Sequence, residues 1–204
     1  LLGITISVVL IFLISESPGY SLRQFLLGQL LSPSRLANII ENASPMIFTG
    51  VAISIVFQAK QFNIGAEGAF YVSAAVGTAF AVSTRMPTLI HIPATLAVAA
   101  ATGMIYGGIP GILKAKLGAS ELVASIMMNY VGYYFGLYLI NFHFRDLDAG
   151  FLVSLRLPET SWLPQLLPGT RIHMGIVLAL LAPLGRYYLL YPTTTGYEIR
   201  TPGT

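Results

Sequence analysis

Asn63 and Glu67 place an amide and a carboxylate, four residues apart, at the start of a long apolar run. From Phe62 to Val82 the only formal charge is Glu67, although this run is long enough to cross a bilayer. An ionisable group inside a membrane indicates a functional site, because lipid solvates it poorly. On one helical face, the two side chains could receive sugar hydroxyls or could cap a broken helix end, and the sequence slightly favours capping.

A second polar stripe repeats every four residues in a later apolar run, through Glu121, Ser125, Asn129 and Tyr133. Residues at this spacing share one helix face, which we expect to avoid lipid. The face could line a solute pathway and bind hydroxyls, or it could tie the helix to a neighbour by hydrogen bonds, which is the favoured alternative. The candidate solute-pathway residues are therefore Asn63, Glu67, Ser125 and Asn129.

The sequence shows no catalytic or metal-binding constellation. Its three histidines lie far apart, cysteine is absent, and neither G-x-S-x-G nor H-E-x-x-H occurs. We predict no catalytic residues, no metal, no cofactor and no enzymatic activity of the chain itself. The formal net charge is +3 and the 11 Lys and Arg residues form no block, so we expect no nucleic-acid partner.

The composition is that of a polytopic membrane protein whose partner is the lipid membrane. Hydrophobic residues make up 55% of the chain and charged residues 9%, and the mean hydropathy is +0.74. A crossing needs about 20 apolar residues. The predicted spans lie near residues 1–14, 39–57, 62–82, 88–109, 119–141 and 172–190.

Small residues and prolines predict how these helices pack. Two ridges of small residues repeat every four residues, and such ridges let helix backbones approach closely in lipid. Four prolines in or beside three spans indicate broken or kinked helices that open backbone groups to a cavity, although ordinary kinks are an alternative. The predicted fold class is all-α, a polytopic transmembrane helical bundle with broken helices. The ridges are Gly65, Ala69, Ser73, Gly77, Ala81 and Thr95, Ala99, Gly103, Gly107, Gly111; the prolines are Pro45, Pro93, Pro110 and Pro183.

Several runs carry a resemblance to a known family: ENASPMIFTGVAISIVFQAKQFNIGAEGAF, PGILKAKLGASELVASIMMNYV and TTTGYEIR. They resemble permeases of ABC importers for nucleosides and simple sugars, in the branched-chain amino acid and ribose-type permease superfamily. A Phe-Asn-Ile-Gly-Ala-Glu-Gly-Gln signature of that family is met from Phe62 to Gly68, with Ala69 in place of Gln. Pro-Gly-x-Leu-Lys-Ala is met at residues 110–115 and Met-x-Asn-Tyr at residues 127–130.

The last signature is a Gly-aromatic-Glu-Leu-Arg-Ala-Val-Gly loop, met at residues 196–200 and lost at Thr201-Pro202. The resemblance implies that residues 1–204 form one transmembrane permease region in which residues 191–204 are a cytoplasmic coupling-loop segment. It implies ATPase-coupling roles for Gly196, Tyr197, Glu198 and Arg200. It covers the first half to two thirds of a family member, so we expect a fragment of a larger permease.

The resemblance also implies a function and partners. We expect a permease subunit of an ABC-type importer that moves nucleosides or simple sugars across the bacterial plasma (inner) membrane. The implied partners are a cytoplasmic ABC ATPase that hydrolyses ATP, an extracytoplasmic substrate-binding protein and a second permease subunit. A permease for branched-chain amino acids and a non-transporting helical membrane scaffold are the alternatives.

Overall fold

The computed structural model describes residues 2–28, 32–167 and 169–201, and these residues are largely helical. A short 3₁₀ helix lies at Glu159–Ser161. The described ranges contain two isolated β-bridges and no strand. The all-α fold class is therefore confirmed. The helices are α1 Leu2–Ile14, α2 Pro18–Leu27, α3 Pro33–Gln58, α4 Ala66–Ser83, α5 Thr88–Leu117, α6 Glu121–Phe142, α7 Gly175–Leu190 and α8 Thr194–Arg200.

Three of the described helices, α3, α5 and α6, are long and apolar enough to cross a membrane. A fourth candidate is α7 taken together with α8, which are bent by 86° relative to each other. The apolar helix α1 has 13 residues and α4 has 18. The chain is thus a multi-pass membrane protein, and the six spans stay a prediction. Helix α2 and the start of α3 lie between the first two predicted spans, where no helix was predicted.

The chain forms two compact units. One comprises Leu1–Met46 and Pro164–Ala179, and the other Ile47–Leu163 and Leu180–Thr204. In the first unit α1 packs on α2, and the hydroxyls of Ser15 and Ser21 are 2.6 Å apart. All the candidate site residues lie in the second unit.

Helix α4 is the centre of the second unit, because it packs on both α5 and α6. Along α5 the small-residue ridges meet: a Cβ on Gly77 would lie 3.2 Å from that of Ala99, and a Cβ on Gly103 would lie 2.7 Å from Ser73 Oγ. The contact moves back by four residues on α4, from Gly77 to Ser73, as it moves forward by four on α5, from Ala99 to Gly103. The two helices are therefore antiparallel. Ser73 and Gly77 of one predicted ridge thus pack on Gly103 and Ala99 of the other.

The contact between α4 and α6 is closer still. A Cβ on Gly132 would lie 2.6 Å from the carbonyl oxygen of Gly68, and a Cβ on Gly68 would lie 2.7 Å from that of Met128. The two helix backbones therefore touch where these glycines cross. Gly132 and Gly136 are four residues apart and both buried, so α6 has a small-residue ridge that the sequence analysis missed.

The prolines do not break the helices, contrary to the expectation from the sequence. Each of the four lies inside a continuous helix, in α3, α5 or α7. The interruption comes after α3 instead, where Lys60 has a φ of 49°. Lys60 N–H donates to the carbonyl of Phe57 (3.1 Å) and Gln61 N–H to that of Val56 (3.2 Å). This is a Schellman motif, which ends a helix and redirects the chain.

Replacing Gly132 by Ala should destabilise the protein by about 1–3 kcal/mol, because the new methyl group meets backbone that has little room to move. The matched control is Gly108→Ala on α5, where an added Cβ meets nothing within 4 Å. That control should be neutral or stabilising by up to about 1 kcal/mol, since Ala favours a helix over Gly. Thermal unfolding of the purified protein in detergent measures both. Equal unfolding midpoints for the two variants would contradict the close crossing.

Candidate functional site

The first turn of α4 is capped by a side chain from α6. Its N-cap residue, Gly65, has no side chain to accept a hydrogen bond. Asn129 Oδ1 accepts instead from the N–H of Gly68, the third helical residue, at 2.8 Å. Asn129 Nδ2 also donates to the carbonyl of Ile64 at 3.0 Å. One amide thus satisfies the Gly68 N–H, which helix geometry leaves without an intrahelical partner, and the Ile64 carbonyl in the break before α4.

Ser125 and Asn63 complete the set of hydrogen bonds at this break. Ser125 Oγ accepts from the N–H of Ile64 at 3.2 Å and is fully buried. Asn63 Oδ1 accepts from the N–H of Gly65 at 2.8 Å. Asn63 precedes α4, so the expected helical face shared with Glu67 is wrong. These contacts are those of the structural alternative, and a role of these side chains in solute binding stays a proposal.

Glu67 lies at the second position of α4, exposed, where the helix dipole favours a negative charge. It lines a cavity of about 340 Å³ together with Asn129. The cavity has a size typical of small-molecule sites, and three tyrosines complete its polar and aromatic wall. The tyrosines are Tyr71, Tyr130 and Tyr133. Sequence reasoning noted only Tyr133, although Tyr71 follows Glu67 by four residues, which is the signal that could have found it.

Asn63 lies in a different cavity, of about 460 Å³, between the end of α5 and the start of α6. Lys114 Nζ bonds there to Glu121 Oε2 at 2.9 Å and to Gln61 Oε1. Ile199 of α8 also lines this cavity. The four candidate pathway residues are therefore divided: Glu67 and Asn129 share one cavity, Asn63 lines another, and Ser125 is buried at the α4–α6 contact.

The turn between α5 and α6 brings Lys114 and Glu121 together. Gly118 has a φ of 63° and donates its N–H to the carbonyl of Lys114 at 3.0 Å, so α5 ends in a left-handed glycine cap. The charged side chains are unequally exposed, at 45% for Lys114 and 9% for Glu121. In the part of the chain that the structure describes, no group of three or more His, Asp or Glu could hold a metal ion.

The predicted coupling segment contains the short helix α8, set at a sharp angle to α7. Thr193 caps α8 by accepting from the N–H of Gly196 at 3.0 Å. Gly196 is buried, and a Cβ there would clash with the carbonyl of Leu189. The guanidinium of Arg200 lies 5.0 Å from the ring centre of Tyr191. Gly196 and Arg200 therefore stabilise the bend itself.

Tyr197 and Glu198 face outward from the same helix. Tyr197 is 66% exposed, and Glu198 is also exposed. They are thus the two coupling candidates whose side chains are free to contact another protein. The last part of the predicted segment, residues 202–204, lies outside the described residues.

Comparisons with known proteins agree with this architecture. The family model described as branched-chain amino acid transport system / permease component matches residues 35–204. The chain is similar to the guanosine ABC transporter permease protein NupP of Bacillus subtilis, with 38% identity over 80% of this chain and 48% of the relative. It is also similar to the nucleoside ABC transporter permease protein NupB of Lactococcus lactis, with 25% identity over 98% of this chain and 58% of the relative.

A further relative is the glucose ABC transporter permease protein TsgB13 of Haloferax volcanii, with 29% identity over 86% of this chain and 49% of the relative. The chain spans about half the length of the curated relatives it matches. No solved structure matches it at a significant level.

Replacing Asn129 by Ala should destabilise the protein by about 1–3 kcal/mol, because the Gly68 N–H and the Ile64 carbonyl lose their partner. Asn129→Asp keeps the acceptor for Gly68 but sets a carboxylate oxygen against the Ile64 carbonyl, so it should also destabilise the protein. Asn141→Ala, at an exposed position near the end of α6, is the matched control and should be neutral. Thermal unfolding in detergent compares the three variants, and an Asn129→Ala midpoint equal to that of the control would contradict the capping role.

Proposed function

We propose that this chain, which belongs to the branched-chain amino acid transport system / permease component family, is the permease subunit of an ABC-type importer for nucleosides or simple sugars. The proposed solute class rests on the names of its relatives. They are named as permeases for guanosine, nucleosides and glucose, which are all hydroxylated solutes.

The cavity beside Glu67 supports this solute class through its hydrogen-bonding groups. The Glu67 carboxylate accepts hydrogen bonds from hydroxyls. The Asn129 amide has two N–H groups and two acceptor positions, of which one each is used at the α4 break. It therefore keeps one donor and one acceptor for a solute. Tyrosine hydroxyls donate and accept, so a neutral solute with several hydroxyls suits this wall.

The proposal includes partners and a location. ATP is hydrolysed by a cytoplasmic ABC ATPase, which contacts the exposed side chains of Tyr197 and Glu198. An extracytoplasmic substrate-binding protein delivers the solute, and a second permease subunit forms the other side of the path. The assembly lies in the bacterial plasma membrane. The chain itself binds and passes solute and breaks no covalent bond.

Branched-chain amino acids are the second candidate solute, because the family description names them. An amino acid carries an ammonium group, which Glu67 would attract, and a carboxylate, for which the described residues that line this cavity include no Lys or Arg. A neutral hydroxylated solute needs no such cationic partner. A membrane scaffold that shares the small-residue ridges would carry no solute at all.

Uptake into vesicles that contain the complete importer, with its ATPase and binding protein, tests the proposal. Radiolabelled nucleosides, ribose, glucose and leucine are supplied with and without ATP on the ATPase side. We expect ATP-dependent accumulation of a nucleoside or a sugar and none of leucine. Accumulation of leucine alone would support the amino-acid candidate. An assembled complex that accumulates none of these solutes would contradict the proposed function.

Replacing Glu67 by Gln should lower uptake at least about tenfold if the carboxylate binds solute in the path, since hydrogen bonds to a charged group are worth about 1.5–3 kcal/mol. Expression should be unchanged, and stability should fall by at most about 1 kcal/mol through the lost helix-dipole interaction. Glu16→Gln, exposed before α2, is the matched control. If the Glu67→Gln variant takes up solute at the rate of the control, Glu67 does not bind solute in the path.

Replacing Tyr197 by Ala or Glu198 by Gln should reduce ATP-dependent uptake and solute-stimulated ATP hydrolysis while leaving the unfolding temperature unchanged, because both side chains point outward. Gly196→Ala should instead lower the unfolding temperature, because its methyl group meets the carbonyl of Leu189 at the bend. The amount of ATPase that co-purifies with each variant measures the contact between the two proteins directly. Full uptake and full ATPase retention in both surface variants would contradict their coupling role.

A further inference from the structure

Tyr71 and Tyr133 line two cavities of different character. Their rings meet edge to face, with centres 5.4 Å apart and planes at 78°. One of these cavities is the polar one that contains Glu67 and Asn129. The other, of about 180 Å³, lies farther along α4 and α6 and is mostly apolar, with alanines and Leu137 in its wall. The two cavities therefore adjoin at the tyrosine pair, which lines both of them.

The apolar cavity is bounded at one end by the hairpin that follows α6. Phe144 and Ser154 of this hairpin line it, and Leu155 N–H holds the hairpin closed by donating to the carbonyl of Phe144 at 2.7 Å. The hydroxyls of Ser154 and Thr78 are polar groups in the wall. An apolar site with a few placed polar groups is the usual form of a small-molecule site.

The size of the apolar cavity matches one flat ring. A cavity of about 150 Å³ with apolar walls binds benzene, so about 180 Å³ accommodates a six-membered heterocycle. Tyrosine rings bind the faces and edges of such heterocycles by stacking. A simple sugar has no flat face and would leave this cavity unused.

We infer that the apolar cavity is a subsite for the base of a nucleoside and that the neighbouring polar cavity holds its ribose. The inference rests on the proposed transport function and narrows its solute class to molecules in which a flat ring is joined to a hydroxylated one. Tyr71 and Tyr133 then select ribonucleosides over ribose or glucose, because only the base contacts their rings in the apolar cavity.

The test is uptake of uridine, cytidine and ribose by vesicles with the complete importer and one fixed binding protein. Tyr133→Leu removes the ring and should lower nucleoside uptake about fivefold or more, whereas Tyr133→Phe keeps the ring and should retain it. Ala74→Leu fills the apolar cavity and should lower nucleoside uptake similarly. Ala97→Leu, exposed on α5, is its control and should leave uptake unchanged.

Photolabelling of the wild-type complex gives a second measurement that needs no variant. A uridine with an azide on its base should attach to peptides that contain Tyr71–Ala79 or Leu137–Ile140 if the base occupies the apolar cavity. Labelling only elsewhere in the protein would overturn the inference even if the variants fail to assemble.

The outcomes separate the inference from the function on which it rests. Nucleoside uptake that is equal in the wild type, Tyr133→Leu and Ala74→Leu would overturn the base subsite and leave the importer function in place. Uptake of ribose without nucleosides would do the same. An assembled wild-type importer that accumulates no nucleoside and no sugar would overturn both.

Discussion

The start of α4 depends on hydrogen bonds that come from α6. The first N–H groups of a helix have no partner within it, so another group must supply one. Asn129 accepts from Gly68, the third residue of α4, and Ser125 accepts from Ile64 in the break just before α4. They reach the α4 backbone because Gly68 and Gly132 let the two helices touch. The close packing of α4 on α6 and the hydrogen bonds at the start of α4 therefore depend on each other. A larger residue at the crossing would remove both.

The contact between α4 and α6 also positions the polar side chains of the neighbouring cavity. Because α4 begins where α6 caps it, Glu67 and Asn129 line one cavity together with three tyrosines. One side chain, Asn129, thus belongs both to the fold and to the proposed solute path. Lys114 and Glu121, which form an ion pair, line the other cavity together with Ile199 of α8, so α8 lies close to the break between α3 and α4.

The sequence predicts most of the apolar helices and the two small-residue ridges, because apolar length and the four-residue spacing of small side chains are local properties; it does not predict that these two ridges pack on each other. It does not predict how α4 and α6 align, which depends on a crossing between residues more than 60 positions apart. Asn63 and Glu67 were therefore expected on one helical face, whereas the chain turns between them. Lys60 ends α3 in a conformation that favours glycine, so its residue type gave no signal of the break. Gly132 and Gly136 have the same four-residue spacing as the other ridges, so the sequence did carry this signal although the sequence analysis missed it.

Residue-resolved hydrogen–deuterium exchange of the protein in a lipid bilayer tests the capping of α4 by α6 most directly. The account predicts slow exchange at the N–H groups of Ile64 and Gly68, which donate to Ser125 and Asn129. It predicts faster exchange at Ala66 and Glu67, the first two helical positions, which have no intrahelical acceptor. Exchange at Ile64 and Gly68 as fast as at Ala66 and Glu67 would contradict it, because the α6 side chains would then not hold the start of α4.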